Sequence, residues 1–273
     1  MVRKLFVAAL GAAGAAAALR ATRGAAPVRT NFRARTVSLA GGPALAVGAT
    51  VAAAAGAGSG SARAAALVAG LGAGAVGGYD DLVGGRPEHA AKGFRGHLAA
   101  LREGRVTSGL VKIAGVGMSG LAASVLLEKA LLEKRRSVGN VLLGAGVIAG
   151  TANLVNLLDL RPGRALKAGL LVGAPLATAG GAGAGIAAGA AGAAGGLLPA
   201  DLDEQIMLGD AGANALGALL GTALAARTGP AGRAVLLAGL VALTAASEKV
   251  SFTQVIQRTP VLRELDALGR RVD

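Results

Sequence analysis

The strongest constraint on this 273-residue chain is a succession of apolar stretches, several close to 20 residues long, separated by short charged loops. One helix needs about 20 largely apolar residues to cross the hydrocarbon core of a bilayer. A soluble domain of this size would instead alternate apolar and polar faces at the strand or helix period. The chain therefore reads as all-α, a polytopic helical membrane protein of about nine transmembrane helices. The runs lie at roughly 5–19, 37–57, 64–79, 107–127, 138–158, 168–181, 183–198, 211–226 and 234–247. Residues 1–250 read as one transmembrane domain and 251–273 as an amphipathic cytoplasmic tail, too charged to span. Between the sixth and seventh runs, residues 178–183 fit either a tight hairpin or the middle of one broken helix. The basic start and apolar run at the N-terminus read as a retained first helix rather than a cleaved signal, since further spans follow.

Composition narrows the partners. With no Trp, one Tyr and four Phe, the interfacial aromatic belt is nearly absent and Lys and Arg must do most of the anchoring. Ala and 46 Gly favour close backbone approach between helices. The net charge of +13 is spread through loops without interleaved aromatic residues, which suits anionic membrane lipid and not nucleic acid. No cysteine is present, so disulfides and thiolate metal sites are excluded. The two histidines, His89 and His97, fall in the basic loop 82–106 without an evident partner and read as solvated.

Three polar patches border apolar runs: Tyr79-Asp80-Asp81, the stretch from Asn153 through Asn156 to Asp159, and Gly209-Asp210-Ala211-Gly212. Carboxylates at a membrane boundary are costly unless they meet water, a cation or a functional partner. An even number of spans separates each patch from the next, so all three share one side. Loops on that side hold most of the 28 Lys and Arg residues, which makes it the cytoplasmic face. Lys129, Lys134, Arg135 and Arg136 fall on the other side and oppose the assignment.

The residue types suit a metal-diphosphate site. Mg²⁺ takes oxygen ligands, commonly one or two carboxylates with substrate phosphate oxygens and water. Adjacent on a helix, Asp80 and Asp81 point about 100° apart, so one can face a metal or substrate while the other meets a structural partner. Asn153, Asn156 and Asp159, at i, i+3 and i+6, form an amide-carboxylate stripe on one side of a helix. Asp210 sits at the start of a span, where its charge favours the helix dipole. Blander readings stand beside these. Asp80-Asp81 also fits a helix end in water, Asn153 and Asn156 fit interhelical glue, and Asp210 fits an N-cap. Asp201, Asp203 and Glu204, after Pro199, read as a solvated turn, and Gly183-Ala184-Gly185 reads as chance in a glycine-rich chain.

Read in order, these motifs resemble the polyprenyl-phosphate N-acetylhexosamine-1-phosphate transferases, the MraY/WecA superfamily. Asn31-Phe32-Arg33 through Gly41-Gly42-Pro43 is similar to the family's first cytoplasmic loop. Tyr79-Asp80-Asp81 is similar to its paired aspartates, and Asn153-Leu154-Val155-Asn156-Leu157-Leu158-Asp159 to its Asn-x-x-Asn-x-x-Asp signature. Met207-Leu208-Gly209-Asp210-Ala211-Gly212-Ala213 is similar to its Gly-Asp-x-Gly-Ser motif, followed by Gly217. The resemblance implies Mg²⁺-dependent (or Mn²⁺-dependent) transfer of a sugar-1-phosphate from a UDP-aminosugar to polyprenyl phosphate at the cytoplasmic face of a bacterial membrane, releasing UMP. It implies that Asp210, with Asp159, holds the metal. Asp80 or Asp81 would bind or deprotonate the lipid phosphate, Asn156 and Asp159 would contact the nucleotide, with Asn153 on the same stripe, and Lys112 would offset phosphate charge. A homodimer is compatible with this reading. The chain departs from the family at Ala213, where Ser is usual, at Arg161-Pro162-Gly163, where many members have Gly-x-Asp-Gly, and after residue 249, where a His-containing loop and a tenth span are replaced by 251–273. The alternative is a catalytically silent relative that binds lipid phosphate or regulates envelope assembly. A transporter would need more ionisable residues along the spans.

Overall fold

Each of the nine apolar runs coincides with a long helix in the computed structural model, which describes residues 1–87, 93–131 and 137–271. These helices are α1 (Val2–Thr22), α2 (Gly41–Gly56), α3 (Gly60–Val83), α5 (Ser108–Leu131), α6 (Val138–Leu158), α7 (Arg164–Thr178), α8 (Ala184–Leu202), α9 (Gly209–Arg227) and α10 (Pro230–Ser247). Shorter helices are α4 (Gly93–Arg102), α11 (Phe252–Arg258) and α12 (Pro260–Ala267). His89, Lys92, Lys134, Arg135 and Arg136 lie outside the described residues, as does the side chain of Arg95.

Four helices are long and apolar enough to cross a membrane, at Val2–Thr22, Ser108–Ala130, Val138–Leu158 and Pro230–Ser247. By length and composition they mark the chain as a membrane protein. Four of the other five long helices meet the criterion less well for identifiable reasons. α2 and α7 have only 16 and 15 residues, while α8 and α9 are buried among their neighbours and built mainly from Ala and Gly. A helix shielded by protein on most sides need not present a strongly hydrophobic surface to lipid.

α9 is the axis of the bundle. Its residues join two core clusters, one shared with α2, α7 and α8 and one shared with α3, α5, α6 and α10. α1 packs on α2 and α8, α3 on α5 and α9, and α6 on α9 and α5, with α10 outside α6. Small residues set these distances: a Cβ added at Gly217 of α9 would fall 2.5 Å from Ala152 Cα of α6. The α7–α8 connection is a tight turn, with Gly180, Gly181 and Gly183 all at positive φ, so residues 178–183 form a hairpin and not the middle of one helix.

One local element departs from the all-helix expectation. Residues before α2 form a small antiparallel hairpin, β1 (Val28–Thr30) with β2 (Thr36–Ser38). Asn31 shapes its tip, accepting from the backbone N–H of Arg33 at 2.9 Å and of Arg35 at 3.0 Å through Oδ1. The loop before α9 joins the hairpin edge, where Met207 N–H donates to Ser38 C=O at 2.9 Å. This anchors the entry of α9 to the entry of α2.

The tail docks at the same end. Arg164 forms a two-pronged pair with Asp266, at 2.8 and 2.9 Å, and donates to Thr253 Oγ1 at 2.9 Å. Arg270 reaches Asp266 at 2.6 Å and Pro162 C=O at 2.8 Å. Lys167 donates to the carbonyls of Leu265, Asp266 and Leu268 at the end of α12. Burial alone would raise the Asp266 carboxyl, but hydrogen bonds from Arg164 and Arg270 outweigh it and hold the group below its ordinary value of 3.8. A depressed carboxylate stabilises the docked form above its unfolded value, and that contribution is lost as pH falls through the docked value. The protection factors of amides 252–267, which take out the pH dependence of intrinsic exchange, should therefore fall on acidification below about pH 4, and Asp266→Asn should lower them in the same way at neutral pH.

Candidate functional site

The end of α3 separates its two aspartates as adjacent helical positions must. Asp81 turns to the start of α9, where Oδ1 accepts from Asp210 N–H at 3.1 Å and Oδ2 from Ala211 N–H at 2.9 Å. The N-cap position of α9 is Leu208, which has no capping side chain. Asp81 thus satisfies from another helix the donors that a local cap would serve, and places a negative charge at the positive end of the α9 dipole. Gly209 enters α9 at φ +57, and an added Cβ would lie 2.7 and 2.8 Å from the two Asp81 carboxylate oxygens. Gly209→Ala should therefore cost about 1–3 kcal/mol from left-handed backbone strain alone, with more from the clash, read as a lower melting temperature in detergent.

Asp80 points instead to α5. Lys112 Nζ lies 2.7 Å from Asp80 Oδ2 and 2.5 Å from Asp210 Oδ2, bridging α3 and α9. Asp210 is therefore a first-turn residue engaged by Lys112 and not the N-cap. From β1, Arg29 adds a second cation, donating to Asp81 C=O at 3.1 Å and standing 3.4 Å from Asp81 Oδ1.

Asp159 lies just past α6, where the chain leaves the helix at φ −76 and ψ 50. Burial pushes its carboxyl well above the ordinary carboxylate range, and the neighbouring charges of Asp201, Asp210 and Asp81 push the same way, against a hydrogen bond from the Gly209 backbone. The three sequence-predicted patches thus meet at one end of the bundle through Asp80, Asp81, Asp159 and Asp210. Asn153 does not join them. Its Nδ2 donates to Thr244 Oγ1 of α10 at 3.1 Å, which is the interhelical role. Asn156 stays on the last turn of α6 as a half-buried residue whose carbonyl accepts from Asp159 N–H at 3.1 Å. Because the helix ends at Leu158, the Asn-Asn-Asp stripe is broken before its last member.

A cavity of about 620 Å³ opens beside Asp159, with Arg29, Phe32 and Arg161 on one wall and Thr253 and Gln254 of α11 on another. The Arg161 guanidinium sits 4.1 Å from the Phe32 ring centroid, a cation–π stack. Two arginines, the carboxylates of Asp159, Asp201 and Glu204, an aromatic face and neutral hydrogen-bonding groups thus line one concavity.

Two parts of the sequence reading need correction. Asp201 and Glu204 do not belong to a solvated turn: they are 4% and 9% exposed. Asp201 accepts from Gly163 N–H at 2.6 Å. Glu204 pairs with Arg33 at 2.8 Å and accepts from Asn31 Nδ2 at 2.5 Å. His97 has a partner as well, with Nδ1 2.8 Å from Thr107 Oγ1. No local signal reveals these pairings, since Glu204 meets residues more than 170 positions away.

Carboxylate oxygens are the ligands that hard divalent cations take. Carboxylate oxygens from separate helices converge, and a positive charge already sits between two of them, in the form of the Lys112 ammonium. Among the described residues, no three His, Cys, Asp or Glu side chains surround a single point ready for a metal, and between Asp80 and Asp210 the ammonium stands where a cation would. Compared with known proteins, the sequence matches no family model and no curated protein.

Proposed function

We propose that this protein is a membrane transferase that moves a sugar-1-phosphate from a UDP-aminosugar to polyprenyl phosphate on the cytoplasmic face of a bacterial membrane, releasing UMP. The observation that carries this reading is the convergence of Asp80, Asp81, Asp159 and Asp210 with Lys112 and Arg29, beside the cavity, at one end of an apolar helical bundle. The motif resemblance in chain order points the same way, as do the basic loops around this end.

Phosphoryl transfer depends mostly on positioning and neutralisation of charge. A bound Mg²⁺ or Mn²⁺, held by Asp210 and Asp159, would supply neutralisation of the diphosphate. The remaining work falls to side chains of this chain. Arg29 and Arg161 attract the diphosphate of the donor into the cavity. Phe32 offers a face for the nucleobase, and Thr253 and Gln254 offer neutral hydrogen bonds to the sugar. Asp80, whose carboxylate is not committed to backbone donors as Asp81 is, accepts a hydrogen bond from the protonated lipid phosphate and orients it. An oxygen of that phosphate then attacks the phosphorus nearest the sugar. The bond to the bridging oxygen breaks, and that oxygen leaves with UMP. Asp81 positions Asp210 by holding the start of α9.

One observation favours a second reading, the catalytically silent relative that binds lipid phosphate. Lys112 already bridges Asp80 and Asp210, and Ala213 removes a hydroxyl beside the proposed metal ligand. Incubating purified protein with Mg²⁺, polyprenyl phosphate and a panel of UDP-aminosugars separates the two. UMP release supports the transferase, whereas lipid binding with no turnover of any donor overturns it.

A further inference from the structure

We propose that Lys112 is a resident cation which a divalent ion displaces, so that metal arrival frees the lysine for a substrate phosphate. The inference rests on the metal-dependent reading above. Asp81 has both oxygens committed to backbone N–H groups of α9, which leaves Asp80 and Asp210 as the pair across which a cation can be shared between α3 and α9. Lys112 Nζ occupies that position at 2.7 and 2.5 Å.

The contact is built to be reversible. Two carboxylates facing each other with nothing between them repel strongly, so one positive charge holds the helix ends in register while no metal is bound. An ammonium on a four-carbon stem can rotate away without moving the backbone, unlike a rigid guanidinium fork. The Lys112 side chain is 22% exposed, so its head has a route to solvent. A divalent ion brings twice the charge and prefers carboxylate oxygens. Once it takes Asp210, together with Asp159, the ammonium loses one of its two carboxylate partners and its charge turns to a phosphate bound beside Asp80. Linkage then requires reciprocity: phosphate binding to the freed lysine must tighten metal binding, and metal must tighten phosphate binding.

The test uses the full-length protein in detergent, with no lipid or sugar donor. Free Mn²⁺ is followed by electron paramagnetic resonance in titrations of the wild type, Lys112→Met and Lys112→Gln, with melting curves to show that each variant is folded. With the competitor removed, Mn²⁺ should bind about tenfold tighter to both variants. In the wild type, Mn²⁺ should tighten the binding of inorganic pyrophosphate, and the variants should lose that coupling. Equal or weaker Mn²⁺ binding in the variants overturns the displacement while leaving a metal-dependent transferase intact. Binding by the variants but not by the wild type shows that the lysine excludes the ion and does not yield to it, which overturns the displacement and removes the metal from the native reaction. Absence of Mn²⁺ binding in all three proteins overturns both.

Discussion

Replacing Asp210 with Asn should lower UMP release by at least about 100-fold, the scale of losing one electrostatic contact to a charge-bearing transition state. The carboxylate is the acidic group at the head of α9 and shares Lys112 with Asp80. An amide of the same shape keeps the packing but removes the negative charge that a divalent ion or Lys112 answers. Asp81→Asn should also cost activity, through a different route. Only one amide oxygen remains to serve the two backbone donors at Asp210 and Ala211, and the new NH₂ group faces the other, so the start of α9 shifts with its carboxylate. Asn153→Ala should leave turnover within a few-fold of wild type, because its side chain serves Thr244 of α10. Rates for the three variants, each normalised to folded protein by its melting curve, check this order. An Asp210→Asn protein with near-normal turnover would refute the assignment.

Arg233→Met should produce the largest loss of stability of any single change considered. Arg233 is 3% exposed and Glu128 1% exposed, and the two pair at 2.6 Å at the end of the bundle opposite the acidic cluster. The same guanidinium donates to Ala225 C=O at 3.0 Å and Asn140 C=O at 3.0 Å, tying α10 to the end of α9 and the start of α6. Glu128 Oε2 has no hydrogen-bond partner among the described residues. Removing the arginine strands a carboxylate in an apolar setting and leaves two carbonyls without a donor. Breaking a buried pair from one side costs about 3–5 kcal/mol, whereas replacing both partners with apolar groups is often neutral. Arg233→Met should therefore lower the melting temperature sharply, and adding Glu128→Leu should restore most of it. If the double variant melts no higher than the single one, the loss came from packing and not from the stranded charge.

Much of this site was legible before any fold was known. The apolar runs located the long helices, and counting them placed Asp80, Asp81, Asp159 and Asp210 at one end. α3 nevertheless continues to Val83, beyond the apolar run at 64–79, so its aspartates ride on the last helical turn rather than past it. A carboxylate can end an apolar stretch without ending the helix, because it meets partners on α5 and α9.

Hydrophobic periodicity and length are properties of neighbouring residues, so the chain on its own determined the helices, their alternating direction and the shared end of the acidic patches. Which group meets which was decided by the tertiary structure. Lys112 reaches Asp210 across 98 positions and Asp81 caps α9 across 130, while Glu204 is buried by arginines of a hairpin whose presence no apolar run announces. Ion pairs and hydrogen bonds act over a few ångströms in space, whatever the distance along the chain, and only packing brings those ångströms about.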